Sequence, residues 1–319
     1  MKLSLSSYLD TVQLLQHYRG THEENRTFAL KHEEFASSPL AMVLAWSASN
    51  RFQISPSGHS PKYQKHWTAM TQFLAFWFLV LGFVTGLGLL SYSGEAPVNV
   101  IYYLFIAMVL PIVGMLLSLL SLKSGKNLGD FFAHFFPLYW FEKMMQALSS
   151  QYRRTWERTS TLPTSVQRWL FIERLQLFSL LFSVGLLLAL LIMVVVKDIA
   201  FGWSTTLNVT PEAFHALLSI VGWGWHGWLP SAVPSIELVE LSQYFRLGER
   251  LETEMVNNAN RLGAWWQFLA MTTLVYAIGL RLLFWGVTHW GFQRVLEHAF
   301  MRIEGVERLQ RHFGTPFVT

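Results

Sequence analysis

The sequence predicts an all-α membrane protein with four transmembrane helices, amphipathic cytoplasmic helices and a helical outer connection. Of its 319 residues, 52% are apolar and 14% are charged, whereas soluble domains usually carry about 25% charged residues. Four apolar runs also reach the roughly 20 residues that a helix needs to cross the hydrocarbon core of a bilayer. These runs lie at residues 67–90, 98–122, 170–196 and 263–288.

The positions of lysine and arginine predict the direction of the spans. Seven basic residues precede the first span, none lies at residues 91–97, and another basic group follows the second span. The connection at residues 197–261 has four basic and seven acidic residues. Because cytoplasmic loops are enriched in Lys and Arg, we expect both termini and residues 123–167 in the cytoplasm, with the other two connections on the opposite side.

Residues 1–66 form the predicted cytoplasmic N-terminal segment. Two amphipathic stretches, at residues 4–18 and 26–46, predict helices that pack on each other or lie against the inner leaflet. Chain-breaking residues interrupt them at Gly20 and at Ser38–Pro39. A cluster of Ser, Pro and Gly at residues 55–61 predicts a turn before the first span.

Residues 67–122 form a predicted hairpin of the first two spans. Gly82 and Gly86 have the spacing that lets helices approach closely, either within the bundle or between two copies of the chain. Pro111 and Gly114 lie in the middle of the second span, where proline removes a backbone donor. They predict a bend that serves either as a gate or only as packing geometry.

Residues 123–169 form a predicted cytoplasmic segment at the membrane interface, which leads into the third span at residues 170–196. Its central part, residues 131–141, is too aromatic for a solvated loop and is broken by Pro137. Aromatic rings are typical of the headgroup layer, so we expect this belt to lie there.

Residues 197–262 form the outer connection, and two helices are predicted in it. Thr210-Pro211-Glu212 is a helix start, because it supplies a hydroxyl cap, a proline at the first helical position and an acidic first turn. The tryptophans and glycines of residues 222–228 predict a stretch that rests on the membrane interface or dips into it. Ser235 starts a second, water-facing helix that includes residues 238–251.

Residues 289–319 predict a cytoplasmic amphipathic helix that continues the last span at residues 263–288. Apolar residues recur at steps of three and four, and charged residues occupy much of the other surface. Such a stripe needs a partner: the chain's own N-terminal helices, a second copy, or another protein. The candidate partner-binding residues are Phe292, Leu296, Phe300, Ile303 and Phe313.

Glu173 and Arg281 are the candidate functional charges inside the membrane. A charge at the centre of a span is costly, by about 2.5–3.5 kcal/mol on insertion scales. Glu173 lies near the cytoplasmic start of the third span and Arg281 near the cytoplasmic end of the fourth. We expect them at similar depth as a charge pair, which is either part of an ion path or a structural salt bridge with a snorkelling arginine.

No pattern in the chain indicates an enzyme, a cofactor or a metal. The chain has no cysteine, and its histidines lack metalloprotease spacing. A phosphate-binding loop and a nucleophile elbow are both missing from the sequence. The net charge of +4 is explained by the flanks of the spans, so we expect lipid rather than nucleic acid as a partner.

Residues 230–246 and 263–281 resemble a family of uncharacterised bacterial multi-pass inner-membrane proteins. Members of that family are often encoded beside a GTPase-like protein. The resemblance places the protein in the bacterial inner membrane, which makes the outer connection periplasmic. It brings no catalytic residues with it.

Two functions are compatible with the sequence. The first is a membrane subunit or anchor for a cytoplasmic, GTPase-like partner, with residues 131–141 and the apolar stripe of the tail as contact surfaces. The alternative is a channel or transporter that uses Pro111 and Arg281. Four spans leave little room for a pore in one copy, so conduction would require a homo-oligomer.

Overall fold

The computed structural model describes residues 3–51, 59–92, 96–123, 162–244 and 259–314. Of the residues in these ranges, 80% are helical and almost none belong to strands. This confirms the all-α prediction.

In chain order, the helices of the described ranges are α1 Leu5–His17, α2 His22–Lys31, α3 Pro39–Ser49, α4 His59–Leu89, α5 Val100–Leu104, α6 Leu110–Lys123, α7 Thr164–Val196, α8 Pro211–His226, α9 Ile236–Leu241, α10 Ala259–Leu262, α11 Trp265–Thr272, α12 Leu280–Met301 and α13 Val306–Gly314. Two π-helical segments, Phe105–Val109 and Thr273–Gly279, join α5 to α6 and α11 to α12. The short elements are the 3-10 turns Glu33–Phe35 and Pro230–Ala232 and the strands β1 Val98–Asn99 and β2 Phe201–Gly202.

In the described part of the chain, four helical stretches are long and apolar enough to cross a membrane, which agrees with the four predicted spans. They are Trp67–Leu89, Val100–Leu122, Thr164–Val196 and Trp265–Met301. Their outward-facing side chains are mostly Leu, Val, Phe and Trp, and many of these are more than a third exposed. Exposed apolar side chains of this density are suited to lipid rather than to water.

Hydroxyl side chains start the helices where the sequence predicts them to. Thr210 accepts from the backbone N–H of Ala213 at 3.3 Å, and Ser235 accepts from that of Leu238 at 3.3 Å. Thr21 and Glu24 form a reciprocal capping box at α2. Each of these caps satisfies N–H groups that have no partner within the helix.

At three places the limits of the helices differ from the predicted segments. Residues 59–61 belong to α4 and not to the predicted turn. The helix tolerates Pro61 because this proline lies in the first turn, where a backbone N–H is not needed. The third helix begins at Thr164, six residues before the apolar run. The tail is not one continuous helix: α12 ends at Met301, and Gly305 has φ 97° before α13 begins. Glycine adopts this left-handed conformation without steric cost.

Three predicted features lie outside the described residues. They are the turn at residues 55–58, the aromatic belt at residues 131–141, and residues 245–251 of the second helix of the connection. That helix, α9, already ends at Leu241, and Gln243 forms a β-bridge with Trp203, so the predicted continuation of the helix through residue 244 is wrong.

The chain divides into two compact units. The first unit comprises Met1–Gln72, Lys126–Glu173 and Val287–Thr319, and the second comprises Phe73–Gly125 and Arg174–Gly286. In the first unit, α13 packs on α2 and α3, and α1 packs on α3. The side chains of Leu14, Leu44, Trp46, Leu296 and Phe300 are almost fully buried there.

The second unit has an aromatic core beside the ends of its spans. The ring of Trp203 lies 4.4 Å from that of Phe214, and the ring of Trp265 lies 6.2 Å from that of Phe268. Strands β1 and β2 pair in parallel, with Val98 opposite Phe201. This small sheet, absent from the sequence prediction, ties the connection before α5 to the one after α7.

Glycines bring α4 and α7 into backbone contact in the second unit. A Cβ atom added to Gly82 would overlap the carbonyl oxygen of Phe182, and one added to Gly185 would overlap that of Leu79. The predicted close approach at Gly82 is therefore made between two helices of the same chain.

Candidate functional site

The two π segments of the second unit pack against each other. The hydroxyl of Thr273 donates to the carbonyl oxygen of Leu269 at 2.7 Å, so its oxygen accepts from the hydroxyl of Tyr103 at 3.1 Å. Ala107 and Ala277 are fully buried in these segments, and their small side chains allow close approach. π turns are rare and are frequent at functional sites.

Pro111 explains one of these segments. Proline has no N–H to offer the carbonyl four residues earlier and clashes with it. The helix widens to the π form at Phe105–Val109, just before that proline. At the position of the predicted bend, the second span therefore has a change of hydrogen-bond register. The sequence carries no comparable signal for Thr273–Gly279, and that segment was not predicted.

Arg281 follows the second π segment and is buried in the second unit. Its residue is 7% exposed, and its Nε has no hydrogen-bond partner among the described residues. A buried guanidinium is costly unless an acceptor lies within hydrogen-bond distance. The position of Arg281 is therefore suited to an anion or another acceptor that binds beside it. Glu173 belongs to the first unit, so the Glu173–Arg281 pair stays a prediction.

Glu173 is paired with His289 in the first unit. Nδ1 of His289 lies 2.9 Å from Oε1 of Glu173, and the glutamate side chain is 4% exposed against 46% for the histidine. A carboxylate accepts hydrogen bonds, so Nδ1 is the donor. Because 116 positions separate the two residues, no local spacing in the sequence could predict this contact.

A polar contact also joins the second and third spans. Nε2 of Gln176 donates to the hydroxyl oxygen of Ser118 at 3.1 Å, and that hydroxyl donates to the carbonyl oxygen of Gly114 at 2.8 Å. Both side chains are buried. Interhelical hydrogen bonds of this kind hold helices together where the hydrophobic effect gives no help.

The apolar stripe of the tail is buried within the first unit. Phe292, Leu296, Phe300 and Phe313 are buried, and Ile303 is half-buried. The ring of Phe300 lies 6.4 Å from that of Tyr8, and the ring of Phe313 lies 6.4 Å from that of Phe28. The N-terminal helices thus cover the stripe, and its use by another protein stays a prediction.

Asn25 is the centre of a buried polar network between α2, α3 and α13. Its Oδ1 accepts from Nε1 of Trp46 at 2.9 Å and from the hydroxyl of Tyr18 at 2.6 Å. Because an indole N–H can only donate, this fixes the orientation of the amide. Nδ2 of Asn25 then donates to Nδ1 of His312 at 3.2 Å, so His312 is neutral with its hydrogen on Nε2.

The surroundings of His312 favour that neutral form. Burial lowers the pKa of His312, and the nearby His22, Arg308 and Arg311 lower it further. The ring of His22 lies 4.8 Å from that of His312. The sequence alone does not predict this network, because Asn25 and His312 are common surface residue types.

Within the described ranges, no group of three or more His, Asp or Glu side chains is placed to hold a metal ion. Two buried polar pairs lie within the candidate spans, Tyr103–Thr273 and Gln176–Ser118. Neither of these pairs is predicted from the sequence, since Tyr, Thr, Ser and Gln are ordinary residues in an apolar run.

Comparison with known proteins identifies a family. A family described as a protein of unknown function, DUF2868, matches residues 141–319. No curated protein and no solved structure matches the chain. Since the match covers more than half of its length and includes the third and fourth spans, the chain belongs to the DUF2868 family.

Proposed function

We propose that the protein is a membrane subunit that anchors a cytoplasmic, GTPase-like partner at the bacterial inner membrane. The observation that supports this most is the composition of the first unit. Helices from the two ends of the chain, α2, α3 and α13, form one helical body with a buried core. A chain that serves only to conduct has no evident use for such a body outside its spans.

The surface of this body is suited to a soluble partner. Glu23, Glu24, Glu33 and Glu34 are exposed along α2 and the turn that follows it, and Leu30 is 48% exposed beside them. We infer that this acidic surface is one contact surface, because charged groups steer the approach of a partner of opposite charge. The aromatic belt at residues 131–141 remains the other proposed contact surface.

Flotation of liposomes that contain the purified chain tests the anchor. We expect a soluble GTPase-like protein encoded beside the chain's gene to float with these liposomes and to stay at the bottom with protein-free liposomes. Phe313→Asp places a charge in the core of the first unit and should abolish recruitment. Leu207→Asp is the matched control, because Leu207 is 73% exposed in the connection.

Equal recruitment to protein-free liposomes would contradict the anchor. Recruitment that is unchanged by Phe313→Asp would also contradict it, provided that α13 is shown to be released in this variant. Release of α13 is measured separately, as faster hydrogen exchange of its amides. Flotation measures whether the partner still binds, and hydrogen exchange measures whether the substitution has released α13.

The alternative function, an oligomeric channel or transporter, draws support from one observation in the second unit. Arg281 is a buried cation close to two facing π segments, and no acceptor for its Nε lies among the described residues. Liposomes with the chain alone should then pass ions, and Arg281→Leu should remove the flux while leaving the spans inserted. Liposomes that remain tight with the wild-type chain would exclude conduction by the chain alone.

A further inference from the structure

The connection between the third and fourth spans contains a hairpin of unusual composition, which we call the Trp hairpin and define as residues 211–234. It consists of α8, a turn at Gly227 and Trp228, and a return segment of residues 229–234. Nε1 of Trp225 donates to the carbonyl oxygen of Ala232 at 3.4 Å. A Cβ atom added to Gly222 would lie 2.7 Å from Cγ2 of Val233, so the return segment lies directly against the helix.

The hairpin runs beside the last span. Near the start of α8, the ring of Phe214 lies 6.4 Å from that of Trp265, where the last span begins. Near its end, the hydroxyl of Tyr276 donates to the carbonyl oxygen of Val221 at 2.8 Å. A Cβ atom added to Gly224 would lie 3.8 Å from Cγ1 of Val275.

These contacts fix how far the hairpin reaches. Val275 is ten positions beyond Trp265, which corresponds to about 15 Å along a helix axis. The end of α8 therefore lies beside the interior of a helix that crosses the membrane. The 3-10 turn Pro230–Ala232 packs on α8 and on α11, and Nε1 of Trp203 donates to the carbonyl oxygen of Val239 at 2.7 Å. After the hairpin, the chain thus returns to the level of Trp265, where the last span begins.

Beyond the first turn of α8, the outward face of the hairpin is apolar except for His226 at the end of the helix and Ser231 in the return segment. No Asp, Glu, Lys or Arg occurs from Ala213 to Ile236. The opposite face of α8 is buried in the aromatic core, whereas the outward face exposes Leu217, Ile220, Trp223 and Trp228, with Trp223 84% exposed. Ser219 lies on this helix too, and its hydroxyl donates back to the carbonyl oxygen of His215 at 2.9 Å.

The length and the backbone of the hairpin also suit a lipid environment. α8 has 16 residues, about 24 Å in length, which is too short for a hydrocarbon core of about 30 Å. Irregular backbone at membrane depth is tolerated only where its polar groups are satisfied within the protein. In the return segment, Ala232 donates to Leu229 at 3.1 Å and Val233 donates to Pro230 at 3.0 Å, while Pro230 and Pro234 have no N–H.

We propose that the Trp hairpin is a re-entrant membrane segment whose outward face contacts the acyl chains of the leaflet nearest Trp265. The helix enters that leaflet, and the proline-containing segment leaves it on the same side. Lipid is the occupant because the depth of the contacts, the absence of charge and the exposed Leu, Ile and Trp side chains match the lipid-facing surfaces of the four spans.

Site-directed spin labelling tests this proposal, and the absence of native cysteine makes single labels unambiguous. Ile220→Cys and Trp223→Cys report on the outward face in the full-length chain reconstituted in phosphatidylcholine liposomes. Leu274→Cys is the lipid reference, since Leu274 is 45% exposed on the last span, and Leu207→Cys is the water reference. The collision rates with oxygen and with a water-soluble nickel complex are measured for each label.

We expect Ile220→Cys and Trp223→Cys to match the Leu274 reference, with high oxygen access and nickel access several-fold below that of the Leu207 reference. Nickel access equal to that of Leu207 would place the face in water and overturn the proposal. Low access to both reagents, with spectral broadening that disappears when unlabelled chain is mixed in, would assign the face to a second copy and also overturn it.

A paired glycine substitution tests the hairpin itself. Gly222→Ala, made together with Trp223→Cys, crowds Val233 and should shift the label towards the nickel reagent. Gly227→Ala is the matched control, because a Cβ atom there meets nothing within 4 Å. Equal behaviour of the two variants would show that the return segment does not hold α8 at depth.

Discussion

The side-chain amide of Asn25 forms hydrogen bonds with three other side chains, those of Trp46, Tyr18 and His312. Asn25→Leu keeps a similar volume but leaves the indole N–H of the fully buried Trp46 without an acceptor. An unsatisfied buried donor costs about 1–3 kcal/mol. We expect the first unit to lose stability by about that amount, measured by thermal unfolding and by protease sensitivity in detergent.

Thr27→Leu serves as the control for Asn25→Leu. Thr27 is exposed on the same helix, and surface substitutions usually change stability by less than about 0.5 kcal/mol. Because leucine is a better helix former than asparagine or threonine, helix propensity predicts no loss of stability in either variant. A loss in Thr27→Leu as large as that in Asn25→Leu would show that a leucine anywhere on α2, and not the broken network, is responsible.

His312 makes the contact of α13 with α2 sensitive to pH. Its pKa is lowered in the folded protein, so the neutral form contributes stability above the ordinary histidine pKa of about 6.5. That contribution is lost as the pH falls through the lowered value, because the unfolded state then binds more protons. The protection factor of the α13 amides, which is the measured exchange rate corrected for the intrinsic rate at each pH, should therefore fall as the pH is lowered from about 7.5 to about 5.

His312→Asn is the matched variant for this pH effect, since its side-chain oxygen can accept from Asn25 but does not titrate in this range. A fall in protection that persists in His312→Asn would trace the pH dependence to another group.

At the scale of elements, the crossing of α4 and α7 depends on two glycines. Gly82→Ala places a methyl group against backbone oxygen, which cannot move aside like a side chain. Overpacking of this kind costs about 1–3 kcal/mol. We expect a lower midpoint of thermal unfolding in detergent for Gly82→Ala, and the same for Gly185→Ala.

Gly88→Ala lies on the same helix as Gly82 but in open space, with nothing within 4 Å of an added Cβ atom. It should leave the midpoint unchanged or raise it slightly, because alanine is the better helix former. Equal destabilisation by Gly82→Ala and Gly88→Ala would argue that helix contact is not the cause.

The elements also show what the sequence could and could not predict. Four spans follow from apolar runs, and the starts of α8 and α9 follow from Thr210 and Ser235, because both signals are local. The π segment at Thr273–Gly279 depends on hydrogen-bond register and on a facing helix, which leave no trace in a single run of residues. Likewise, Glu173–His289 and Asn25–His312 join distant positions.

At the scale of the whole molecule, the contact of α2 with α13 has a topological consequence. Helices at opposite ends of the chain can pack together only if both lie on the same side of the bilayer, as an even number of spans requires. Tags at the two termini should therefore be cleaved by protease from the same side of sealed inverted membrane vesicles, while a tag at Leu207 should be protected. Cleavage of only one terminal tag would contradict the topology.

The same contact sets an order for biosynthesis. α2 and α3 are made long before α13, the helix that covers them, and the delay is on the order of tens of seconds at about 5–20 residues per second. During that interval the nascent chain presents an uncovered apolar surface beside a membrane into which four segments are being inserted. Synthesis of α13 is thus the event that closes the first unit, and a chain that terminates before α13 would leave that surface open.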